Sequence, residues 1–237
     1  MLAKRVIPTM LVRGRTLVKG EKFNSWRSIG YALQSAKIHA ARGVDELCIL
    51  DISATAEGRG PDLDLVSELS EGCFIPITVG GGVRTLEHID QLLRAGADKV
   101  CIGSAIRTDP GVLNLASNRF GRQAIVCSID VDTTFPLYSW VRLAQRIEAM
   151  GAGEILLQSI DRDGTLQGYD LDLIRAVSAA VNIPVVASGG CGSYEHMLQA
   201  FHAGADACAA GAMFAFTDNT PRGAACYLKS QGLEVRL

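Results

Sequence analysis

Residues 62–106 and residues 170–214 are two copies of one stretch, aligned without a gap at an offset of 108 residues. Of the 45 aligned positions, 17 are identical, so we interpret the pair as an internal duplication. Both copies begin with DLDL, pass through Ile-Pro into a glycine cluster, and end in AGAD. Solenoid repeats have periods of about 20–50 residues, which are much shorter than this offset. The duplication therefore predicts a molecule of two fused halves.

Short apolar runs rich in β-branched residues alternate with longer helical patterns about eight times along the chain. Strands that alternate with helices predict parallel βαβ units, and two halves of four units close into a ring of eight. The length of 237 residues is near the roughly 250 of one (βα)8 barrel. We therefore predict an α/β fold, a single (βα)8 TIM barrel over residues 1–237 with half-barrels at about 1–120 and 121–237. The predicted strands are 6–12, 47–52, 75–79, 99–102, 124–130, 154–159, 184–187 and 207–210, and the predicted helices are 31–42, 62–71, 85–95, 109–118, 139–150, 170–180, 193–203 and 220–231.

The charge balance excludes several classes of partner. With 23 basic and 25 acidic side chains the formal net charge is −2, which gives no long-range attraction for nucleic acid or an anionic membrane. No apolar run approaches the roughly 18 residues of a membrane span. Pro8 and Arg13 interrupt the first apolar run, so a signal peptide is not expected.

The seven cysteines are odd in number and scattered, mostly within apolar runs. This distribution predicts that the cysteines are small core residues in a reducing cytoplasm, rather than partners in disulfides or ligands of a zinc site. The four histidines lack ligand spacing, and His88 and His196 occupy equivalent helical positions in the two copies, where a packing role is favoured. Neither a metal nor another cofactor is predicted.

The segment 13–30 after the first predicted strand is long, irregular and cationic. Loops of this length in compact domains are usually functional, so we predict a mobile active-site loop over the barrel mouth. The alternative is a solvated surface loop.

Glycines end matching strands in the two halves. The clusters are Gly80–Gly82 with its mate Ser188–Gly190, and Gly103-Ser104 with its mate Gly211-Ala212. Active sites of (βα)8 barrels lie at the carboxyl ends of the strands, where glycine lets backbone N–H groups approach an anion and the next helix start adds its positive end. Each half is therefore predicted to hold one phosphate, and the substrate to carry a phosphate at either end. The alternative is that these glycines only make tight turns.

Carboxylates end other strands: Asp130 the fifth, Asp51 the second, while Asp163 follows the sixth. A carboxylate in a partly closed mouth is a candidate general acid or base. The equivalent of Asp130 in the first half is Leu11, by alignment of VIPTMLV with IVCSIDV. An aliphatic side chain cannot transfer a proton, so one half of the expected catalytic pair is absent.

The chain contains the motifs MLAKR, VDELCILDIS, IPITVGGGV, GAGEILL, SIDRDGT and ASGG, in this order. In these motifs and their order, the chain closely resembles the cyclase subunit of imidazole glycerol phosphate synthase over nearly its whole length. The resemblance implies a (βα)8 barrel of duplicated origin that takes ammonia from a separate glutaminase subunit, bound as a heterodimer, through the barrel. That ammonia is used on a small bis-phosphorylated ribulosyl intermediate.

The resemblance also assigns site residues. Asp130 matches the second catalytic aspartate of the family, and Leu11 stands where the first is expected. The residues that match positions lining the substrate or its phosphates are Lys19, Asp51, Gly82, Ser104, Asp163, Gly164, Gly190 and Gly211. Gly103, Gln158 and Ala212 replace an expected asparagine, threonine and serine, respectively.

At the amino-terminal ends of the strands, Arg5, Glu46, Lys99 and Glu154 match the charged ring around the ammonia entrance of that family. Asp98 matches a position that contacts the glutaminase. The alternative is that conservation on this face of a barrel serves stability.

The charged residues of the ammonia entrance are present, but the catalytic acid–base pair lacks one carboxylate. We therefore predict a paralogue of the cyclase that receives ammonia and serves sugar amidation in surface polysaccharide biosynthesis, with a sugar amidotransferase as a further partner. One alternative is a genuine histidine-pathway cyclase that works with Asp130 alone. The other is a non-catalytic conduit that binds and activates the glutaminase.

Overall fold

The computed structural model describes residues 3–235. Met1 and Leu2 of the opening word MLAKR and the last two residues of the predicted 1–237 domain lie outside this range. In chain order the strands are β1 (Arg5–Arg13), β2 (Thr16–Glu21), β3 (Asn24–Tyr31), β4 (Leu47–Asp51), β5 (Ile77–Gly80), β6 (Lys99–Ile102), β7 (Ile125–Val131), β8 (Glu154–Ser159), β9 (Val185–Ser188) and β10 (Ala207–Ala210).

Eight of these strands form a closed parallel barrel in the order β1-β4-β5-β6-β7-β8-β9-β10. The ring closes where β10 pairs with β1, with Arg5 opposite Ala207. Strands such as β5 and β9 are buried along their whole length, as strands covered on both faces must be. The predicted (βα)8 barrel is confirmed.

The helices lie between the barrel strands. They are α1 (Ala32–Ala41), α2 (Leu63–Gly72), α3 (Leu86–Arg94), α4 (Ala105–Thr108), α5 (Gly111–Phe120), α6 (Leu137–Ala149), α7 (Leu171–Ser178), α8 (Tyr194–His202), α9 (Ala212–Phe216) and α10 (Pro221–Ser230). Barrel strands and long helices agree with the predicted spans to within about two residues. The short helices α4 and α9 were not predicted, because one turn is too short to show an amphipathic period.

The duplication extends to the helix caps. The side chains of Thr85 and Ser193 accept hydrogen bonds from the backbone N–H of His88 and His196 and so begin α3 and α8. The two histidines in turn accept from backbone N–H groups of the preceding loops, at 3.3 Å and 3.1 Å from their Nδ1 atoms. Each histidine therefore connects the start of its helix to the loop before it.

The segment 13–30 is not irregular, and that prediction was wrong. It forms an antiparallel β-hairpin of β2 and β3, which extends β1 through the pairs Leu11 with Val18 and Val12 with Leu17. The apolar residues Leu17 and Val18 are buried, so burial of this pair favours the paired conformation. Lys22 and Phe23 make the two-residue turn, with φ of 50° and 58°.

The barrel interior is filled by small and medium apolar side chains. Its middle layer consists of Ile7, Cys48, Cys101, Val126, Leu156, Val186, Ala207 and Ala209. A larger core lies between the outer faces of the strands and the helices. Six of the seven cysteines are buried, whereas Cys226 is exposed, so the core interpretation holds for six. Within residues 3–235, no helix is both long and apolar enough to cross a membrane.

Candidate active site

A cleft of about 350 Å³ opens at the carboxyl ends of β1, β4, β5, β6, β7 and β8. It is lined by Leu11, Phe23, Trp26, Leu50, Asp51, Ile52, Thr55, Gly81, Gly82, Val83, Cys101, Gly103, Ser104, Ser128, Asp130 and Gln158. The predicted location of the site at this end of the barrel agrees with the position of the cleft.

Asp130 lies near the end of β7, and its Oδ1 accepts a hydrogen bond of 2.9 Å from the Ser128 hydroxyl. Burial raises the pKa of the Asp130 carboxyl above its ordinary value, while the Ser128 hydrogen bond and the charge of Arg107 act against the rise. A buried carboxyl with a raised pKa in a cleft is a candidate general acid or base.

Leu11 lines the same cleft from β1 and is 3 % exposed. Its backbone pairs with Leu50 on one side and with Val18 of the hairpin on the other. The side chain therefore contributes an apolar wall at the place where the resemblance expects the first catalytic aspartate.

Asp51 lines the cleft, but its carboxylate is engaged by its own loop. Oδ1 accepts from the backbone N–H groups of Ser53 and Ala54 at 2.9 Å and 3.2 Å, and Oδ2 lies 2.7 Å from Arg59 Nη2. The observed role of Asp51 is to fix the loop after β4. A substrate group at this position would have to share the carboxylate with Arg59.

The glycine cluster of the first half opens into the cleft together with Gly103 and Ser104. Gly82 has a φ of +69°, and a Cβ atom there would lie 2.8 Å from the carbonyl oxygen of Arg59. Only glycine fits this turn. The cleft beside it has room for a phosphate, and phosphate binding at this half-site stays a prediction.

The second half-site is nearly filled. Its cavity of about 20 Å³ is lined by Thr9, Leu11, Lys19, Gln158, Asp163, Gly164, Ser188, Gly189, Gly190, Cys191, Ala209, Ala210, Gly211 and Ala212. Lys19 is one of the lining residues, and its ammonium donates a hydrogen bond of 3.2 Å to the Thr9 carbonyl oxygen. A Cβ atom on Gly211 would collide with this ammonium. The two half-sites, equivalent in sequence, therefore differ in the space that they offer.

Gln158 is buried and pairs with Asp130 in the register between β7 and β8. It lines both cavities, as does Leu11, so these two side chains separate the half-sites. The other two residues that depart from the family lie one in each half, with Gly103 in the open half-site and Ala212 in the filled one.

Several residues of the cleft were missed by the sequence analysis, and three of them can contact a substrate through an aromatic ring or a hydroxyl. Phe23 and Trp26 come from the hairpin, and Ser128 lies two residues before Asp130 on the same face of β7. The alternation of strand residues could have identified Ser128. The segment that carries Phe23 and Trp26 was predicted to lie over the mouth, but without a strand register these two aromatics could not be singled out as residues that line the cleft.

At the opposite end of the barrel, four charged side chains form a closed network. Arg5 Nη1 lies 2.7 Å from Glu46 Oε2, and the other Nη of Arg5 contacts Glu154. Lys99 Nζ lies 2.9 Å from an oxygen of each glutamate. Burial opposes ionisation of Glu46, but the charges of Lys99 and Arg5 outweigh it and lower the pKa of this carboxyl. The four predicted ring residues are thus in mutual contact across the barrel axis.

Asp98 is tied to the backbone of the barrel floor. Its Oδ2 accepts a hydrogen bond of 2.8 Å from the N–H of Ile77, and Asp206 accepts one of 3.0 Å from Val185 in the second half. Because the same hydrogen bond recurs at the repeat offset, a structural role is enough to explain the aspartate of the AGAD motif in both copies. Contact of Asp98 with a partner stays a prediction.

A small cavity of about 10 Å³ lies directly above the ring. Its wall combines Glu46 and Glu154 with Thr78 and the apolar middle layer of the barrel, including Ile7 and Leu156. The axis therefore runs from a charged floor, through an apolar interior, to the cleft at the mouth.

A family model described as "Histidine biosynthesis protein" matches residues 5–220. The chain belongs to this family. Its members are HisA/HisF-type barrel enzymes of histidine biosynthesis. The match spans both half-barrels and includes every predicted site residue from Arg5 to Ala212.

Among residues 3–235, no three His, Cys, Asp or Glu side chains come together as a metal site. What the cleft offers is one carboxyl with a raised pKa, one open glycine turn and two hairpin aromatics.

Proposed function

We propose that this chain is the ammonia-receiving barrel of a glutamine amidotransferase complex, similar to the cyclase subunit of imidazole glycerol phosphate synthase. A glutaminase subunit docks at the amino-terminal face of the barrel and forms a heterodimer with it. Ammonia then passes the ring of Arg5, Glu46, Lys99 and Glu154 and travels along the barrel axis to the mouth.

The observation that carries this proposal is the ring of paired charges below an apolar interior. A barrel floor that only had to be stable would gain as much from apolar packing, because burying ion pairs costs desolvation free energy. A network in which Lys99 joins both glutamates can break and re-form around a small polar molecule. Ammonia is a molecule of this size and polarity.

The residues at the barrel mouth favour the function of a paralogue over that of the original cyclase. Asp130 retains the position and the raised pKa of a general acid or base, but Leu11 contributes no second proton-transfer group. Loss of one such group typically costs 10²- to 10⁴-fold in rate. The proposed acceptor is therefore a different phosphorylated compound, within a pathway of sugar amidation for surface polysaccharides, in which a separate sugar amidotransferase takes part.

A histidine-pathway cyclase is the second candidate, and family membership favours it. Complementation of a cyclase-deficient histidine auxotroph separates the two. We expect no growth without histidine, whereas robust growth would support the cyclase and contradict the paralogue.

Docking is tested by measuring glutamine hydrolysis by a glutaminase encoded beside this chain, with and without the chain. We expect stimulation of roughly tenfold or more, as is usual for coupled sites. Two exposed aromatics provide a matched pair of variants, because Phe74 precedes β5 at the floor and Phe135 follows β7 at the mouth, with exposures of 94 % and 57 %.

Phe74→Asp should abolish the stimulation, and Phe135→Asp should leave it intact. Equal behaviour of the two variants, or no stimulation by the unmodified chain, would contradict docking at the floor. Stimulation without any aminated product in the presence of phosphorylated acceptors would instead indicate a non-catalytic conduit.

A further inference from the structure

Gln158 lies at the centre of the barrel mouth without a hydrogen-bond partner for its side chain. The residue is 3 % exposed, and among residues 3–235 no group hydrogen-bonds to its carboxamide. A carboxamide can donate two hydrogen bonds and accept two, and burying such a group unpaired is unfavourable. Gln158 lines both the cleft and the smaller cavity beside Lys19, so a ligand can reach it. A buried polar side chain in this position is suited to bind a polar group of a substrate.

The two carboxylates of the cleft are already engaged. Asp51 is held by Arg59 and by backbone N–H groups of its own loop, and Asp130 accepts from the Ser128 hydroxyl. Ser128 uses its proton in this hydrogen bond and keeps lone pairs that can accept another one. Gln158 and Ser128, on the neighbouring strands β8 and β7, therefore offer a donor and an acceptor within one cleft.

The wall around these two polar groups is apolar. Leu11 and Cys101 are each 3 % exposed, and Leu50 packs against the middle layer of the barrel. Burial raises the pKa of the Cys101 thiol well above its ordinary value, so the thiol stays neutral and behaves as a small apolar group. This wall favours a methyl or similar group over a charged or hydroxylated one, because apolar surface is buried there without loss of hydrogen bonds.

Gly103 adds space to this part of the cleft. A Cβ atom on Gly103 would contact only the Cβ atom of Ser128, at 3.7 Å, which is an ordinary van der Waals distance. Its φ lies outside the left-handed region, unlike that of Gly82, so the backbone would accept a side chain. The turn does not require this glycine. What Gly103 provides is room beside Ser128, at a position where the family resemblance expects the larger asparagine.

We infer that Gln158, Ser128 and Gly103 form a subsite for the acetamido group of an N-acetylated sugar phosphate. Gln158 donates to the acetyl carbonyl oxygen, and Ser128 accepts from the amide N–H. Because the N–H and C=O of a secondary amide point in opposite directions, they suit partners on two different strands. The methyl group packs against Leu11 and Cys101 in the space that Gly103 leaves. The inference rests on the proposed function only in taking a phosphorylated sugar as the acceptor.

The test compares N-acetylglucosamine 1-phosphate with glucose 1-phosphate by calorimetric titration of the whole chain. The two compounds differ in one ring substituent, which is an acetamido group in the first and a hydroxyl in the second. We expect the acetylated sugar to bind about tenfold more tightly or better, since it adds a hydrogen bond to a buried amide and a buried methyl group. Equal Kd values, or no binding of either sugar, would overturn the inference.

A third probe, aminoimidazole carboxamide ribotide, separates the acetamido group from a primary carboxamide. It carries a phosphate and can pair with Gln158, but it has no methyl group for the apolar wall. We expect it to bind less tightly than the acetylated sugar. Tighter binding of the ribotide would assign Gln158 to a primary carboxamide and overturn the acetamido subsite.

Variants ask whether these residues cause the preference. Gln158→Met keeps the length of the side chain and removes the carboxamide, and Gly103→Val fills the space beside Ser128. Each should reduce the preference for the acetylated sugar to about threefold or less, because each removes one part of the subsite. Gln199→Met, which changes an exposed glutamine on α8, is the matched control and should keep the full preference. If both subsite variants fold, as thermal denaturation verifies, and keep the full preference, the subsite is excluded.

Glutaminase stimulation depends on the opposite face of the barrel and is measured on the same proteins. Stimulation by a chain that does not distinguish the two sugars would overturn the acetamido subsite and leave the proposed docking intact. A preference for the acetylated sugar without any stimulation by the unmodified chain would contradict the proposed function and leave the subsite intact.

Discussion

Leu11 and Asp130 face the same cleft from opposite sides of the barrel. Their strands, β1 and β7, are separated by β4, β5 and β6 in one direction and by β8, β9 and β10 in the other. The carboxyl of Asp130 thus has an aliphatic side chain across the mouth from it, where two-carboxylate chemistry requires a second ionisable group. The duplicated halves keep most of their glycines at the mouth, whereas this pair of a carboxylate and an aliphatic side chain breaks the symmetry.

Leu11→Asp is expected to lower stability without restoring cyclisation. A carboxylate at a position that is 3 % exposed should reduce the free energy of unfolding by about 2–4 kcal/mol. Cyclisation should stay absent because Gly103, Gln158 and Ala212 also depart from the family. Urea denaturation and an ammonia-dependent assay for imidazole glycerol phosphate measure the two effects, with Leu11→Ala as the uncharged control. A large gain in cyclisation would mean that the mouth still fits the bisphosphorylated intermediate.

Asp130→Asn is expected to stabilise the protein at neutral pH, by roughly 0.5–2 kcal/mol, as other stabilising changes at active sites do. Burial raises the folded-state pKa of Asp130, so the folded state binds its proton more tightly than the unfolded state. Stability therefore falls as the pH rises from the unfolded value of 3.8 through the raised folded value, and the cost is full above both.

The asparagine removes this cost, so its advantage should be present at pH 7 and vanish below about pH 4. Ser128→Ala provides the opposite change, since it removes the hydroxyl that donates to the carboxylate, and it should destabilise at neutral pH. Denaturation curves at several pH values measure both variants. An advantage of the asparagine that is independent of pH would exclude the carboxylate as its cause.

The barrel could be predicted from sequence because it depends on periodic, local signals. Apolar runs such as CILD mark a strand. Asp62 and Asp170 occupy equivalent positions in the two copies, and each caps the start of its helix. Such signals specify the bounds of an element to within a few residues. Once eight strands close in order, the residues at the start of the strands must lie at the floor. Arg5, Lys99 and Glu154 begin their strands, and Glu46 immediately precedes β4. That these four residues form a ring was implied by the family resemblance.

The hairpin and the position of Lys19 could not be predicted in this way. A two-residue hairpin turn with positive φ at both positions is normally marked by Asn-Gly or Asp-Gly, but here it is formed by Lys22 and Phe23. Without that signal the segment 13–30 shows no strand pairing. The difference between the two half-sites was hidden for the same reason, because Lys19 reaches Gly211 only through the hairpin.

Lys99→Met is expected to reduce the free energy of unfolding by about 3 kcal/mol at pH 7, since it leaves two buried glutamates to share Arg5. Arg94→Met is the control, because that guanidinium is 76 % exposed and pairs with Asp90 on the surface of α3, where such pairs contribute less than about 1 kcal/mol.

The loss should depend on pH. Lys99 and Arg5 lower the pKa of Glu46, so this carboxylate contributes stability above its ordinary value of 4.5 and loses it as the pH falls through the lowered folded value. The difference between Lys99→Met and the unmodified chain should therefore shrink in acid. Denaturation at pH 7 and pH 4 measures it, and an equal loss at both would indicate that the lysine acts through packing of its stem.

Lys22→Asn is expected to stabilise the protein by about 0.5–1 kcal/mol. Lys22 has a φ of 50°, a conformation that asparagine adopts more readily than lysine, and its contact with Asp163 uses the backbone N–H that asparagine keeps. Lys229→Asn, on the exposed last turn of α10, removes the same charge where asparagine is a poorer helix former, so it should lower stability slightly. Thermal denaturation compares the two. If Lys22→Asn were the less stable variant, the lysine side chain rather than its backbone would be what holds the turn against the loop after β8.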